Sequence, residues 1–425
     1  MRFFLFFFLP FFYAAQVSSS YKNVQIPPVK SNYPFKECEP SIAINPNNPN
    51  HIAAGTVLQG YHYSVDGGKT WKSKELKSPF GVFGDPVLQF NSKGRLFYFH
   101  LSDYKKGSHL DRIVCQYSDK ITGKFSKGSF PEPNGTKVQD KHWVVIDPKT
   151  NVIYMTWTQF DAYNSSLKSD SSFIMFSKST DNGDSWSKPL RISKFGGDCL
   201  DDDNTVEGAT PALGLNGEIY VTWSGPNGLM FQVSKDGGNT WFKEERKIID
   251  HVGGWSINIS GIYRANGLPF LVSDISDGPN RGNLYLNWCD QRKGEDDTEV
   301  WLKISKDGGE TWSEDIKVNQ DDSKTQQFFT HLTLDPTNGD LHFVFYDRSM
   351  FKPSSIQTHV AWVHSSDGGK TFKQQTVSES PFVPNPKLFF GDYLNIGAFN
   401  GKIRPIWPRM DEGKITLWTA IIDLK

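Results

Sequence analysis

Ser305-Lys-Asp-Gly-Gly-Glu-Thr-Trp312 is the stretch from which the rest of the chain can be read. The phrase returns as Ser64-Val-Asp-Gly-Gly-Lys-Thr-Trp71, Ser179-Thr-Asp-Asn-Gly-Asp-Ser-Trp186 and Ser234-Lys-Asp-Gly-Gly-Asn-Thr-Trp241. Ser365-Ser-Asp-Gly-Gly-Lys-Thr-Phe372 carries Phe at its end, and a worn copy lies at Ser118-Asp119 with Gly123 and Phe125. Recurrence every several tens of residues marks a repeat architecture. Asp followed by two glycines supplies a side-chain acceptor and positive φ angles, the ingredients of a hairpin turn. Asp66, Asp181, Asp236, Asp307 and Asp367 are therefore expected to accept turn hydrogen bonds, with the Thr or Ser adding another and the aromatic ring packing beneath. The flanks alternate apolar and polar residues, as in Glu299–Ile304, and period two reads as strand.

The five good copies resemble the Asp-box, or BNR repeat, of the sialidase-like β-propeller superfamily, and they spread over most of the chain. The resemblance implies an all-β protein, a β-propeller of four-stranded antiparallel blades. It does not by itself imply sialidase activity, because Asp-boxes also decorate other glycosidases and non-catalytic receptors.

Taken in order, the strand grammar repeats. Blade one runs from Ser41–Asn45 through His51–Val57 to Tyr61–Tyr63. Later blades open at Asp85–Phe90, His142–Asp147, Ala209–Gly214, Phe270–Ser273 and Phe329–Leu334. The tail offers three strands and no Asp-box, at Tyr393–Ala398, Lys402–Trp407 and Ile415–Ile421. The segment Val24–Ile26 can complete that last sheet and hide its edge. The count is seven blades, with six as the alternative.

A length of 425 residues ordinarily suggests two or three domains, but a propeller remains one unit at this size. Residues 21–425 are read as a single propeller domain. Residues 1–20 are read as a signal peptide, because Met1–Ala15 joins a basic start to a short apolar core and small residues. That core is too short to span a bilayer comfortably, so no membrane span is expected and the product is secreted or periplasmic. A net charge of −1 argues against general nucleic-acid or anionic-membrane binding. Cys38, Cys115, Cys199 and Cys289 allow three pairings, and free thiols fit equally well. No Cys/His spacing resembles a zinc site, and the acidic run Asp198–Asp203 reads as a solvated loop before a calcium site. No metal or cofactor is assigned, and a monomer is expected. Asn134, Asn164 and Asn258 begin glycosylation sequons.

Alternation of strand direction puts the Asp-box turns on one face. The starts of first strands and the ends of second strands meet on the other, where a central pocket opens. First-strand starts offer Glu39, Asp85, Asp140, Lys141, His142, Glu207, Arg264, Asp392 and Tyr393; second-strand ends offer Asp161, Asp290, Arg292, Asp347 and Arg348. A ring of structural ion pairs is the plain reading of such a set. The sialidase resemblance implies more: arginines that grip a substrate carboxylate bidentately, a tyrosine nucleophile beside a glutamate, and an aspartate acid/base. The positions that fit are Asp85 as acid/base, Glu207 as base to the tyrosine, Tyr393 as nucleophile, and Arg264, Arg292 and Arg348 as substrate ligands. Tyr346 is a substitute nucleophile. The sialidase Arg-Ile-Pro motif is absent from the first blade, which has Glu39-Pro-Ser-Ile; Arg404-Pro-Ile-Trp occurs in the last group. Together with Phe390-Gly-Asp-Tyr-Leu-Asn395, these features look like a secreted bacterial branch of the superfamily. The expected function is a secreted sialidase-like glycoside hydrolase (exo-α-sialidase type) acting on a glycan or glycoprotein. The alternative is a non-catalytic propeller that binds glycan or protein at the same face.

Overall fold

A computed structural model describes residues 21–30, 36–104 and 108–424. The signal-peptide reading of residues 1–20 lies outside the described residues. Seven sheets stand around an axis, six of four strands and one of three, and an eighth, two-stranded ribbon lies beside them. No helix occurs among the described residues, so none is long and apolar enough to cross a membrane.

Blade one is Ser41–Ile44, Ile52–Thr56, Gly60–Ser64 and Lys72–Glu75. Blade two has three strands, Val87–Phe90, Leu96–Tyr104 and Ser108–Ser118, with a lone bridge from Cys115 to Ser129 in place of the fourth. The worn Asp-box explains the difference, since the turn after Ser118 lacks the Asp-Gly-Gly geometry that returns the chain as a paired strand. Blades three to six begin at Val138–Ile146, Glu207–Leu213, Phe270–Ser273 and Gln327–Leu334. Blade seven is Asn395–Phe399, Lys402–Asp411 and Lys414–Asp423, completed by Lys22–Ile26 in antiparallel register, Lys22 opposite Ile421 and Ile26 opposite Leu417. An early strand and the three strands of the tail thereby share one sheet, which closes the ring.

The turns are built as their residues dictate. In the Ser305 copy, Asp307 accepts from the Thr311 N–H at 2.9 Å, the Thr311 hydroxyl at 2.5 Å and the Ser305 hydroxyl at 2.8 Å. Gly309 donates its N–H to Ser305 Oγ at 2.8 Å. Gly308 and Gly309 have φ of 73° and 86°, conformations that L side chains rarely adopt. A Cβ on Gly309 would also strike the Phe231 ring of the preceding blade at 2.1 Å. Gly238 meets Phe176 in the same way. The box is thus a joint between blades as well as a turn. Trp71 packs over its own turn and donates its indole N–H to Gly68 O at 3.0 Å, whereas Trp241 and Trp312 set their rings edge-on against Phe176 and Phe231 of the preceding blade. Arg404 serves the same joint at the ring closure. It donates to Gly67 O in the first Asp-box and to Ile422 O and Asp423 in its own blade. All four cysteines are buried free thiols.

Candidate active site

The inner strands of several blades begin with one backbone device. Glu39, Asp85 and Lys141 have φ of 50°, 47° and 45°, and Gly208 and Phe329 take the same left-handed conformation in blades four and six. In blades three, four and six the ladder slips beside that residue, as a β-bulge does. Left-handed backbone at non-glycine residues costs energy and collects at functional sites. Here it re-aims acidic and basic residues toward the axis.

They meet in a cavity of about 520 Å³ on the face opposite the Asp-boxes. Its charged lining is Glu39, Asp85, Asp140, Asp201, Glu207 and Asp392, with Lys141, Arg264 and Lys387 as the bases. Its apolar lining includes Phe83, Trp255, Tyr263 and Phe389. Much of one wall comes from the excursion between blades four and five, where the ribbon Ser256–Ile257 and Ala265–Asn266 carries Arg264 at its edge. Arg264 therefore sits on this ribbon, not at the start of the blade-five inner strand. The loops after Phe160 and before Asn395 bring Tyr163 and Asp392.

The charges fall into two groups, and Arg264 reaches both. In the first, Arg264 forks onto Asp392, with Nε to Oδ1 at 2.8 Å and its Nη2 paired to Oδ2. Lys141 Nζ lies 3.8 Å from Asp85 and 3.9 Å from Asp392. Burial works to raise the Asp392 carboxyl, but Arg264 and Lys141 outweigh it and hold it below the usual range. Glu39 is pushed well up, first by burial and then by Asp85 and Asp392. Asp85 is also raised, by burial against the pull of Lys141.

In the second group, the Tyr163 hydroxyl donates to Asp201 at 2.5 Å, and Arg264 Nη1 lies 3.5 Å from the same carboxylate. Glu207 is 2% exposed; Thr158 donates to its Oε1 at 3.1 Å, and its Oε2 has no partner. Burial, then Asp201 and Asp140, push its carboxyl well above the ordinary value. Burial and Asp85 push Asp140 up to about 8. An acid whose folded pKa exceeds its unfolded value binds the extra proton in the native state between the two. Stability is then lost as pH rises from about 4 toward 8. Asp140→Asn is expected to flatten that decline, gaining stability at pH 8 relative to pH 5 in denaturant titrations. An unchanged slope would remove Asp140 as its source.

The structure gathers Asp85, Glu207 and Arg264 in this cavity, while Tyr393, Arg292 and Arg348 stand apart from its lining. Tyr393 lies just beneath, its ring 4.6 Å from Lys141 Nζ and 5.6 Å from Trp143. Burial, then Asp85 and Glu39, raise its phenol well above 10, the opposite of what an activated nucleophile needs. Arg292 is held by Asp290 at 2.6 Å and by Asp315, and stacks on Trp301 at 4.3 Å. Arg348 is buried and donates to Gln326 Oε1 at 2.6 Å, Thr358 Oγ1 at 3.1 Å and Ser260 O at 2.8 Å. Burial lowers it to about 10. It braces the excursion that walls the cavity and does not enter it. The expected three-arginine cluster is not formed, because second-strand ends lie one layer farther from the axis than first-strand starts. Tyr346, also buried, donates to Pro408 O at 2.6 Å.

Beneath the cavity, Trp143 meets Phe270 and Tyr393 edge-on, and Phe270 and His331 pack tilted with centroids 4.1 Å apart. Below them a second cavity of about 420 Å³ opens among the inner strands. The hub is therefore blocked midway.

The fold and repeats define an Asp-box β-propeller. The BNR/Asp-box repeat model matches residues 62–73 and 303–314. No curated protein sequence matches the chain. Among solved structures, the chain is similar to an ulvan lyase bound to -[GlcA(1-4)Rha3S]-, at 11% identity and a TM-score of 0.55, covering 92% of this chain and 96% of that one. It is also similar to a Dyadobacter fermentans protein of unknown function, at 12% identity and a TM-score of 0.54, covering 97% and 100%. A Fusarium graminearum α-L-arabinofuranosidase matches at 13% identity and a TM-score of 0.50, covering 96% and 98%. At such identities the likeness is one of fold.

Proposed function

We propose that the protein is an exported glycoside hydrolase whose acid is Glu207. The observation that carries this reading is the opposite push on two carboxyls of one cavity: burial drives the Glu207 carboxyl well up and leaves its Oε2 without a partner, while Arg264 and Lys141 hold Asp392 down. Environments that push neighbouring carboxyls apart assign acid and anion roles. Glu207 protonates the leaving oxygen as the glycosidic bond breaks, while a solvent water adds to the anomeric carbon and gives up its proton to the Asp392 carboxylate. Tyr263 and Phe389 at the mouth, 6.3 Å apart and edge-on, offer apolar faces to a pyranose.

The exo-sialidase form of this function needs arginines free to fork onto a carboxylate. Arg264 is the arginine of the cavity lining, and it already pairs with Asp392. The reading taken is a neutral terminal sugar. Export rests on the apolar leader at Met1–Ala15. The test is a panel of aryl glycosides of neutral sugars beside a sialyl glycoside. Release from a neutral member, strongly reduced in Glu207→Gln, is expected. Release from the sialyl compound alone would overturn the neutral-sugar assignment, and silence across the panel would remove the enzymatic one.

A further inference from the structure

On the Asp-box face of blade six, far along the strands from the acidic cavity, two histidines face each other across a ladder. His342 on Leu341–Asp347 pairs with His364 on His359–Ser365, and their rings stack 5.0 Å apart at 13°. Asp340, two residues before His342, accepts from His364 Nε2 at 3.0 Å. His342 is 1% exposed, and neither of its ring nitrogens has a hydrogen-bond partner. A buried imidazole with both nitrogens unbonded costs free energy that a stacked pair does not return. One ligand atom from each of Asp340, His342 and His364 lies within 4.8 Å of the others.

We propose that Asp340, His342 and His364 form a three-ligand divalent metal site of the zinc class. Two imidazoles and a carboxylate are a borderline donor set that suits Zn²⁺ better than Mg²⁺ or Ca²⁺, which favour oxygen ligands. Zinc bonds of about 2.0–2.2 Å put tetrahedral ligand atoms about 3.3 Å apart, so the side chains draw together by roughly 1.5 Å at most. Rotation about side-chain bonds supplies that. His342 comes from one strand, His364 from its neighbour, and Asp340 from the turn that starts the first. The ion therefore ties the middle of blade six just before its Asp-box at Ser365. No Cys/His spacing motif announces it, since 21 residues separate the two histidines in the chain and only strand pairing brings them together.

The experiment uses the full chain, stripped with chelator and dialysed, then titrated with Zn²⁺ alone by calorimetry. Co²⁺ is used in parallel as a spectroscopic stand-in. One equivalent of Zn²⁺ and the visible bands of four-coordinate Co²⁺ are expected. His364→Ala and Asp340→Asn should weaken Zn²⁺ binding by at least about tenfold and dim the Co²⁺ bands, with the β-sheet circular dichroism unchanged. Asp340 is partly exposed on a turn, so its variant keeps the test usable should His364→Ala not fold. No uptake by the stripped chain, or uptake equal in Asp340→Asn, would overturn the site.

Discussion

Glu207→Gln lowers turnover on a responsive glycoside by about 10²–10⁴-fold, the contribution of a positioned general acid, with little change in KM. Gln keeps the shape and still accepts from Thr158, so the cavity floor stays packed. What is lost is the proton. The pH profile separates this from a merely structural role. An acid catalyst works while protonated, so wild-type activity falls as pH rises through the elevated pKa of Glu207. In the variant that alkaline limb disappears from the residual rate. A residual rate that keeps the limb, or a loss confined to KM, would move the acid elsewhere in the cavity, with Asp140 the first place to look.

Arg292→Met is expected to cost about 3 kcal/mol of stability, near the lower end of what breaking a buried ion pair costs. Asp290 is fully buried, and Arg292 forks onto it with Nε to Oδ1 at 2.9 Å and Nη2 to Oδ2 at 2.6 Å. Removing the guanidinium leaves a buried carboxylate with two indole donors, Trp288 at 2.9 Å and Trp301 at 3.1 Å. Those donors, and the partial exposure of Arg292, keep the figure from the upper end. Adding Asp290→Asn should restore part of the loss, which a double-mutant cycle in urea would read. Activity per folded molecule should not change. A variant of normal stability whose KM climbs would return Arg292 to the substrate.

The turns were legible because their signal is local. Asp-Gly-Gly followed by Thr-Trp specifies its own hydrogen bonds, as Asp307 and Ser305 show, and the strands between follow by alternation. The closing partner of the tail was legible for a different reason: three strands without a fourth leave an edge, and Val24–Ile26 was the apolar stretch free to cover it. The cavity was legible as far as it rests on inner-strand starts, which is why Asp85 and Glu207 stand together there with Glu39, Asp140 and Lys141. Tyr163, Trp255, Tyr263 and Phe389 escaped, because they sit on loops and an excursion where no period constrains the chain. Arg292 and Arg348 were placed by strand position alone. Side-chain partners within and beside their own blades, Asp290 and Gln326, decide where those guanidiniums go. Asp201 stood in an acidic run that reads as a solvated loop, and only Tyr163 and Arg264 reveal it as part of the wall.

Lys22–Ile26 and Lys414–Asp423 close the ring between them, and synthesis delivers them at opposite times. The clasp is made early and must wait, unmated, for a partner about 390 residues later in the chain. Until then every nascent chain presents two raw β edges, the kind of surface that recruits other chains. Loss of Lys414–Asp423 alone would thus be harsher than a larger loss from a surface loop, for it strands Lys22–Ile26 as well.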